Sequence, residues 1–428
     1  MSSVEVIVVE VFDSELARRQ RAIELVNSGV AKAETARRVG RSRRWVIKWV
    51  ARWDADGAAG LVDRPRVPHT QPTKTSQRVV NEVLKMRARL EAIPEANIGG
   101  LSVLAAMERQ RFEPLPSVAT IERILSDAGV TRPTGKRDRR SGVSLPLPKV
   151  TAPGIWQQAD WIQDRYLEGG IRFQSLQIAD VGSHGIASGQ YLDRKLLTAV
   201  TFVIEHAWPT LSIPAAMGID NAFVKTSHPN NPFTVWTRIC LWFGVEVIVS
   251  PPGSHGWTNH IEAVNHQWQR ATIWAQHFTS LEDLRAGSDR ACWWLNHHRA
   301  ILNPDTHGTR YPAEYIANHT HQLTWPPAIT IADHLDKKGH LTIPLAAGRI
   351  TYLRYVTEHH TIEVANTTWP VPPTISTGGL VTATITTQDH ALTITHHGEP
   401  AATYNYPIKH PIANPYHPPT EHSLLHHV

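Results

Sequence analysis

Cysteine is nearly absent: Cys240 and Cys292 are the only two in 428 residues. That scarcity excludes a disulfide framework and a cysteine-rich zinc module. Both lie in apolar helical patterns that suit buried thiols. No run of about 18 apolar residues occurs, so no membrane-spanning helix is expected, and no membrane partner. The start, Met1-Ser-Ser-Val-Glu5, lacks the charged-then-apolar layout of a secretory signal, which points to a cytoplasmic protein. The chain is too long for one core, and two to four domains are expected.

What the chain does have is charge, unevenly spread. It carries 43 Lys+Arg against 38 Asp+Glu. Residues 1–150 hold 27 basic against 17 acidic side chains, a net of +10, which leaves 16 against 21, a net of −5, for the remainder. A merely solvated surface would spread the bias evenly. A basic front half fits a polyanion docked there, with counterion release supplying affinity.

That front half reads as helices. Ala22, Ile23 and Val26 have helical spacing up to Gly29, and a short helix from Lys32 to Val39 stops at Gly40. Ser42 caps a third helix, with Val46, Trp49, Val50 and Trp53 as its buried stripe. Arg43, Arg44, Lys48 and Arg52 remain for phosphates or base edges. Two short helices, a Gly turn and a basic third helix outline a helix-turn-helix over 15–60. A Pro-rich basic linker at 60–75 leads to a second trihelical unit over 76–130, with starts near Ser76, Gly100 and Ser117. A further basic linker carries Lys136, Arg137, Arg139 and Arg140, also assigned to DNA.

From Ile155 the pattern changes to strands. Trp156–Ile162, Ile171–Val181 and Ile186–Leu192 form a meander, followed by a helix at Leu196–Ala207, a strand at Ala215–Ile219, a helix at Phe233–Phe243, a strand at Val245–Val249 and a helix at His260–Gln276. This order is that of an α/β RNase H-like core, spanning 150–318. A further helix is capped at Ser280 and anchored by Trp293-Trp294. Alternating runs such as Leu380–Thr387 favour a small all-β barrel over 335–410. The last twenty residues, rich in Pro and His, are expected to be disordered. The adjacent pairs His359-His360, His396-His397 and His426-His427 lack helical ligand spacing and read as surface residues.

Three acids carry the chemistry. Asp160 lies on the first strand, Asp220 ends a later strand that adjoins it in such a sheet, and Glu262 opens a helix. A cluster of carboxylates suits Mg²⁺ or Mn²⁺, and two such ions clamp the attacking and leaving oxygens of a phosphodiester. The bland readings are a strand-end Asp, an ordinary turn, and a capping box with Asn259 as N-cap and Glu262 as its partner.

The motifs Trp156-Gln-Gln-Ala-Asp160, Ile219-Asp220-Asn221, Ser250-Pro-Pro-Gly-Ser-His-Gly-Trp-Thr-Asn-His-Ile-Glu262 and Trp294-Leu-Asn296-His-His-Arg299 resemble a known family. The chain is similar to bacterial insertion-sequence transposases with a retroviral-integrase-type DDE core, from about residue 15 to 400. The resemblance implies that Asp160, Asp220 and Glu262 are the catalytic, metal-holding triad. It also implies two Mg²⁺ (or Mn²⁺) ions per active site, double-stranded DNA as substrate, and a dimer or higher multimer on DNA in the bacterial nucleoid. The implied reaction cuts one strand at each end of a mobile element and joins the freed 3′-hydroxyl to target DNA. Departures are an insertion at 226–232, Ala222 where the family has Gly, His260 where a Lys is common, and Ala263 where a basic residue follows the Glu. They touch phosphate contacts more than metal binding. An inactive relative retained as a sequence-specific DNA binder is the rival, and a stand-alone nuclease a third reading.

Overall fold

The computed structural model describes residues 10–64, 74–131, 145, 147–193, 195–225, 233–253, 257–302, 308–319, 334–337, 342–409 and 411–425. Lys136, Arg137, Arg139, Arg140 and the 226–232 insertion lie outside them. The chain divides into two units, Met1–Thr75 and Ser76–Val428. Among the described residues no helix is long and apolar enough to cross a membrane.

The first unit is the trihelical one. Its helices are α1 (Glu15–Asn27), α2 (Lys32–Arg38) and α3 (Arg43–Asp56). Ser14 and Ser42 cap α1 and α3, their hydroxyls accepting from the amides of Ala17 at 3.1 Å and Trp45 at 3.2 Å. Ala22, Leu25, Ala36, Val39 and Val46 close one cluster, and Ile23, Trp49 and Leu61 another. Arg19 is buried between α1 and α3, its guanidinium 3.9 Å from the Trp49 ring centre and donating to Leu61 O at 2.7 Å.

The second unit opens with α4 (Gln77–Glu91), α5 (Gly100–Arg109) and α6 (Val118–Asp127), packed around Val83, Met86, Val103, Met107 and Ile121. These helices are tied to the strands and helices that follow. Arg270 donates to Ala96 O at 3.0 Å, and Arg109 to His297 O at 2.8 Å.

The strands β1 (Trp156–Tyr166), β2 (Arg172–Asp180) and β3 (Ile186–Tyr191) form the expected antiparallel meander. After α7 (Leu196–Phe202) the helix runs through a π-helical turn at Val203–Ala207 into α8 (Trp208–Leu211). Next come β4 (Ala216–Ile219), α9 (Val235–Trp242), β5 (Glu246–Val249), α10 (Asn259–Ala271), α11 (Leu281–His298), the short pair β6 (Ile301–Leu302) and β7 (Thr309–Arg310), and α12 (Pro312–Ala317). β4 pairs parallel to β1, and β5 parallel to β4. Central strands buried on both faces read as nearly continuous apolar runs, as Glu246-Val-Ile-Val249 does.

Residues alternate between the two faces of β1. Ala159 and Trp161 join the cluster under α7 and α9, whereas Ile162 joins Ile261, Val264, Trp268 and Leu295 under α10 and α11. Trp293, expected to anchor α11, is 54% exposed; Leu295 and Asn296 are among the residues this helix buries. Asn296 is held by the backbone of Ile186, donating to its carbonyl and accepting from its amide, both at 2.8 Å.

The C-terminal strands do not form the separate barrel expected. β8 (Arg349–Tyr355), β11 (Leu380–Thr386), β12 (Ala391–His396) and β13 (Glu399–Asn405) continue the core sheet, in the order β13-β12-β11-β8-β5-β4-β1-β2-β3. β9 (Thr361–Val364) and β10 (Thr367–Pro370) make a separate two-stranded ribbon. The physical reason is the edge of β5: left open, its apolar side chains and unpaired N–H and C=O groups would be a template for pairing with another chain. β8 covers it, pairing Val247 with Ile350 and Val249 with Tyr352.

The tail is a second correction. Residues 411–425 are described, and Leu425 is buried with Trp156, Trp257 and Leu353. The buried carboxylate of Glu246 accepts from Ser423 Oγ at 2.6 Å, Leu424 N at 3.3 Å and Thr351 Oγ1 at 2.7 Å.

Candidate active site

β1 and β4 run parallel with Gln158 opposite Gly218, so Asp160, within β1, and Asp220, just past the end of β4, stand at the same level two residues on. Asp220 caps a 3-10 turn at Asn221–Phe223, its Oδ1 accepting from Ala222 N at 2.9 Å. Glu262 lies in the first turn of α10. What brings that turn to the aspartates is Gln158. Its Oε1 accepts from Ile261 N at 3.0 Å, and its Nε2 donates to Trp257 O at 3.1 Å. Gly218 also matters by close approach: a Cβ there would stand 2.7 Å from Trp156 Nε1 and 2.9 Å from the Trp257 ring.

Asp160 feels its burial and the other two acids. Burial, then the charge of Asp220 and, more weakly, that of Glu262, push the Asp160 carboxyl from 3.8 up to about 6. Two hydrogen bonds act against this rise: Asn265 Nδ2 donates to Asp160 Oδ2 at 2.7 Å, and Trp161 N to Oδ1 at 2.8 Å. Asn265 stands one turn beyond Glu262 on α10 and is 7% exposed.

The trio is not drawn into a ligand cluster. Among the described residues, no three His, Cys, Asp or Glu side chains are gathered closely enough to hold a metal ion. Glu262 is turned aside, its Oε1 accepting from Thr258 Oγ1 at 3.0 Å. That contact also departs from the capping box, because Thr258 rather than Asn259 is the N-cap. As a donor set the three carboxylates still fit a hard divalent cation, which would offset the repulsion that raises Asp160.

Neighbouring acids are engaged elsewhere. Asp164 Oδ1 accepts from Gln174 Nε2 at 2.6 Å. Asp180 is fully buried, accepting from Gly154 N at 2.8 Å and from Ser183 N and Oγ at 2.7 Å. Burial pushes it up to about 6. His260 faces inward, its ring 4.9 Å from that of His184. Burial, His184 and Arg299 push it down to about 3, so at pH 7 this half-buried ring is neutral.

A pH prediction follows from these shifts. Asp160 and Asp180 keep their protons in the fold up to about pH 6, while in the unfolded chain they ionise near 3.8. Between these values the folded state binds more protons, so stability falls as pH rises from about 4 to 6. Asp160→Asn should therefore raise thermal stability at pH 7, on the order of 1–2 kcal/mol after solvent screening, and leave it unchanged at pH 4. Equal melting shifts at both pH values would contradict this.

Gln158 and Asn265 are site residues that the sequence reading missed. Period-two counting back from Asp160 and helical stepping forward from Glu262 would have found both. Gln158→Leu should cost about 1–3 kcal/mol by urea unfolding, since it strands the buried amide of Ile261.

Arg354 of β8 was also missed, and no local signal marks it. It donates to Asn221 Oδ1 at 2.6 Å and to Ser250 O at 3.2 Å, clamping the Asp220–Asn221 turn from behind.

On α3, Arg43, Arg44 and Lys48 are exposed. Arg52 is half-buried. Its guanidinium lies 4.5 Å from the Trp49 ring centre and donates to Val62 O at 2.8 Å, so it is built into the fold.

Residues 19–79 match the winged helix-turn helix family. The N-terminal unit thus carries a helix-turn-helix. Among solved structures, the chain is similar to the HTLV-2 integrase catalytic core domain in complex with magnesium, in its trimeric form. Identity is 13% and the TM-score 0.29, over 39% of this chain and 99% of that one. The dimeric form gives 11% and 0.29 over the same shares. A simian T-cell lymphotropic virus intasome in complex with PP2A regulatory subunit B56 gamma gives 14% and 0.34, over 70% of this chain and 95% of that one.

Proposed function

We propose that this protein is a DDE-type DNA transposase, with the helix-turn-helix unit recognising element ends and an RNase H-like core cutting and joining strands. The observation that supports the reading is the placement of three acids on three separate elements, Asp160 on β1, Asp220 just after β4 and Glu262 in the first turn of α10, with the charges of Asp220 and Glu262 adding to burial in raising Asp160. Bound Mg²⁺ or Mn²⁺ ions, two per site, would supply Lewis-acid activation of the attacking and leaving oxygens. Asp160 and Asp220 would hold them from the sheet, and Glu262 from α10 after leaving Thr258. Asn265 fixes the Asp160 carboxylate, Gln158 fixes the helix, and Arg354 fixes the Asp220 turn. Cutting and joining two ends together requires a dimer or larger multimer on DNA. The C-terminal strands, whose alternation suggested a small barrel, would act as an extension of the core sheet. Magnesium-dependent strand cleavage, lost on replacing Asp220, is the test.

A second reading is an inactive relative that binds DNA, favoured by the turn of Glu262 onto Thr258. Wild-type protein that binds flanking DNA but never nicks it in Mg²⁺ or Mn²⁺ would select that reading.

DNA recognition is assigned to Arg43, Arg44 and Lys48, and for the linker to Lys136, Arg137, Arg139 and Arg140. In anisotropy titrations with DNA flanking the gene, Arg44→Ala and Lys48→Ala should each weaken binding. A base contact costs about 1–3 kcal/mol at one position, whereas a phosphate contact weakens all sequences and flattens the salt slope by about one. Binding by both variants equal to wild type at every salt concentration would place recognition off α3.

A further inference from the structure

Of the large apolar side chains on α3, Trp45, Val46, Trp49, Val50 and Trp53 all pack into the two clusters of the first unit. Ile47 does not. It is 44% exposed and joins neither cluster. Helix propensity gives no reason for it either, since a β-branched side chain loses rotamer freedom in a helix.

Counting helical steps from Arg44 puts Ile47, Lys48 and Ala51 on one face with it, and all four are exposed. Charge along the helix has a direction. Arg43, Arg44 and Lys48 are cations of its first half, whereas the exposed acids Asp54 and Asp56 stand at its other end. Neither the Arg43 nor the Arg44 guanidinium is held by another described residue. Lys48 stays exposed, with its ammonium 5.2 Å from the Trp49 ring centre. Only the first half of α3 therefore suits a polyanion, and Ile47 lies within it, between cations. Ala51, one turn further on, is too short to hold this face away from the floor of a groove. In the major groove the N-terminal residues of such a helix meet base edges, and the apolar group there is the C5-methyl of thymine.

We infer that Ile47 reads a thymine, its side chain packing on the C5-methyl group at the major-groove edge of a T·A pair. The inference rests on the DNA recognition proposed above for α3. It adds a source of sequence preference that does not depend on charge. Phosphate contacts weaken as salt rises, but an apolar contact does not, so this preference holds its size across salt concentrations.

The test uses the full chain in EDTA, so that no cleavage takes place, and fluorescein-labelled duplexes of the DNA flanking the gene. One duplex carries thymine. A second, of the same sequence, carries uracil at every thymine position, which keeps base pairing and removes only the methyl groups. A third has a shuffled sequence. Wild-type protein should bind the thymine duplex about fourfold more tightly than the uracil duplex, the worth of one buried methyl-sized group. The ratio should be the same at about 50 and about 200 mM salt. Ile47→Ala should bring it below about 1.5-fold, while Ile47→Val, which keeps the β-branch, should retain most of it. Both variants should melt like wild type, as the side chain joins no cluster. Arg44→Ala should weaken binding to both duplexes and leave the ratio unchanged. A wild-type ratio near one overturns the inference, as does an Ile47→Ala protein that keeps the wild-type ratio. Flanking DNA bound no tighter than the shuffled duplex would overturn sequence recognition by α3 as a whole. Preferential binding with a thymine-to-uracil ratio near one would overturn the methyl contact alone.

Discussion

Asp220→Asn should abolish magnesium-dependent cleavage of element-end DNA, by at least about 10³-fold, corresponding to about 4 kcal/mol of transition-state stabilisation. The substitution keeps the side chain's shape and its role as cap: the amide oxygen can still accept from Ala222 N, now at 2.9 Å from Oδ1. What it removes is a charge at the end of β4, beside Asp160. DNA affinity should therefore stay within about twofold of wild type, since Asp220 is not among the basic residues proposed to bind DNA. The measurement is single-turnover nicking alongside anisotropy on the same duplex. Retained cleavage would pass the role to another acid. Asp164 and Asp180 are poorly placed for it, the first held by Gln174 and the second sealed behind Ser183. The variant should also lower the Asp160 carboxyl, because Asp220 is the largest charge raising it.

Trp268→Ala should be the most damaging single change in the core, costing about 3–5 kcal/mol. Trp268 is fully buried between α10 and the sheet, against Ile162, Phe173, Val264 and Leu295. Its Nε1 donates to Ser288 Oγ at 2.9 Å, so truncation leaves both a cavity and a buried hydroxyl short of a partner. Since α10 also carries Glu262 and Asn265, activity should fall with stability. Trp293→Ala is the control: at 54% exposure it should change stability by no more than about 0.5 kcal/mol. Urea unfolding of the two variants decides the matter, and equal losses would refute the burial assignment of α11.

Much of the chain was legible before any coordinates. Ser42 before a basic amphipathic run fixes the start of α3, because the cap is a local bond to Trp45 N. Strand alternation marks β1 to β3 for the same reason: which face a side chain takes depends on counting by two. Asp160, Asp220 and Glu262 could be picked out because they sit on a strand, just after a strand and in the first turn of a helix, elements that the sequence itself marks.

What failed were the statements about partners distant in sequence. Arg349-Ile-Thr-Tyr-Leu-Arg-Tyr355 reads as a barrel strand on its own, and only the open edge of β5 makes it the fourth parallel strand of a nine-stranded sheet. Arg52 and Lys48 look alike on a helical wheel and both lie over the Trp49 ring, yet Arg52 also donates to Val62 O. His260 looks like a substituted DNA contact until the ring of His184 is found behind it. The tail looked disordered because Pro and His are poor core formers, but Leu425 finds Trp257 and Glu246 finds the backbone of Leu424. The sequence by itself determined the local elements, the basic helix-turn-helix and the identity of three acids. Only tertiary structure decided how closely those acids meet, through Gln158, Asn265 and Arg354, because hydrogen bonds across 100 or more residues leave no periodic trace in the chain.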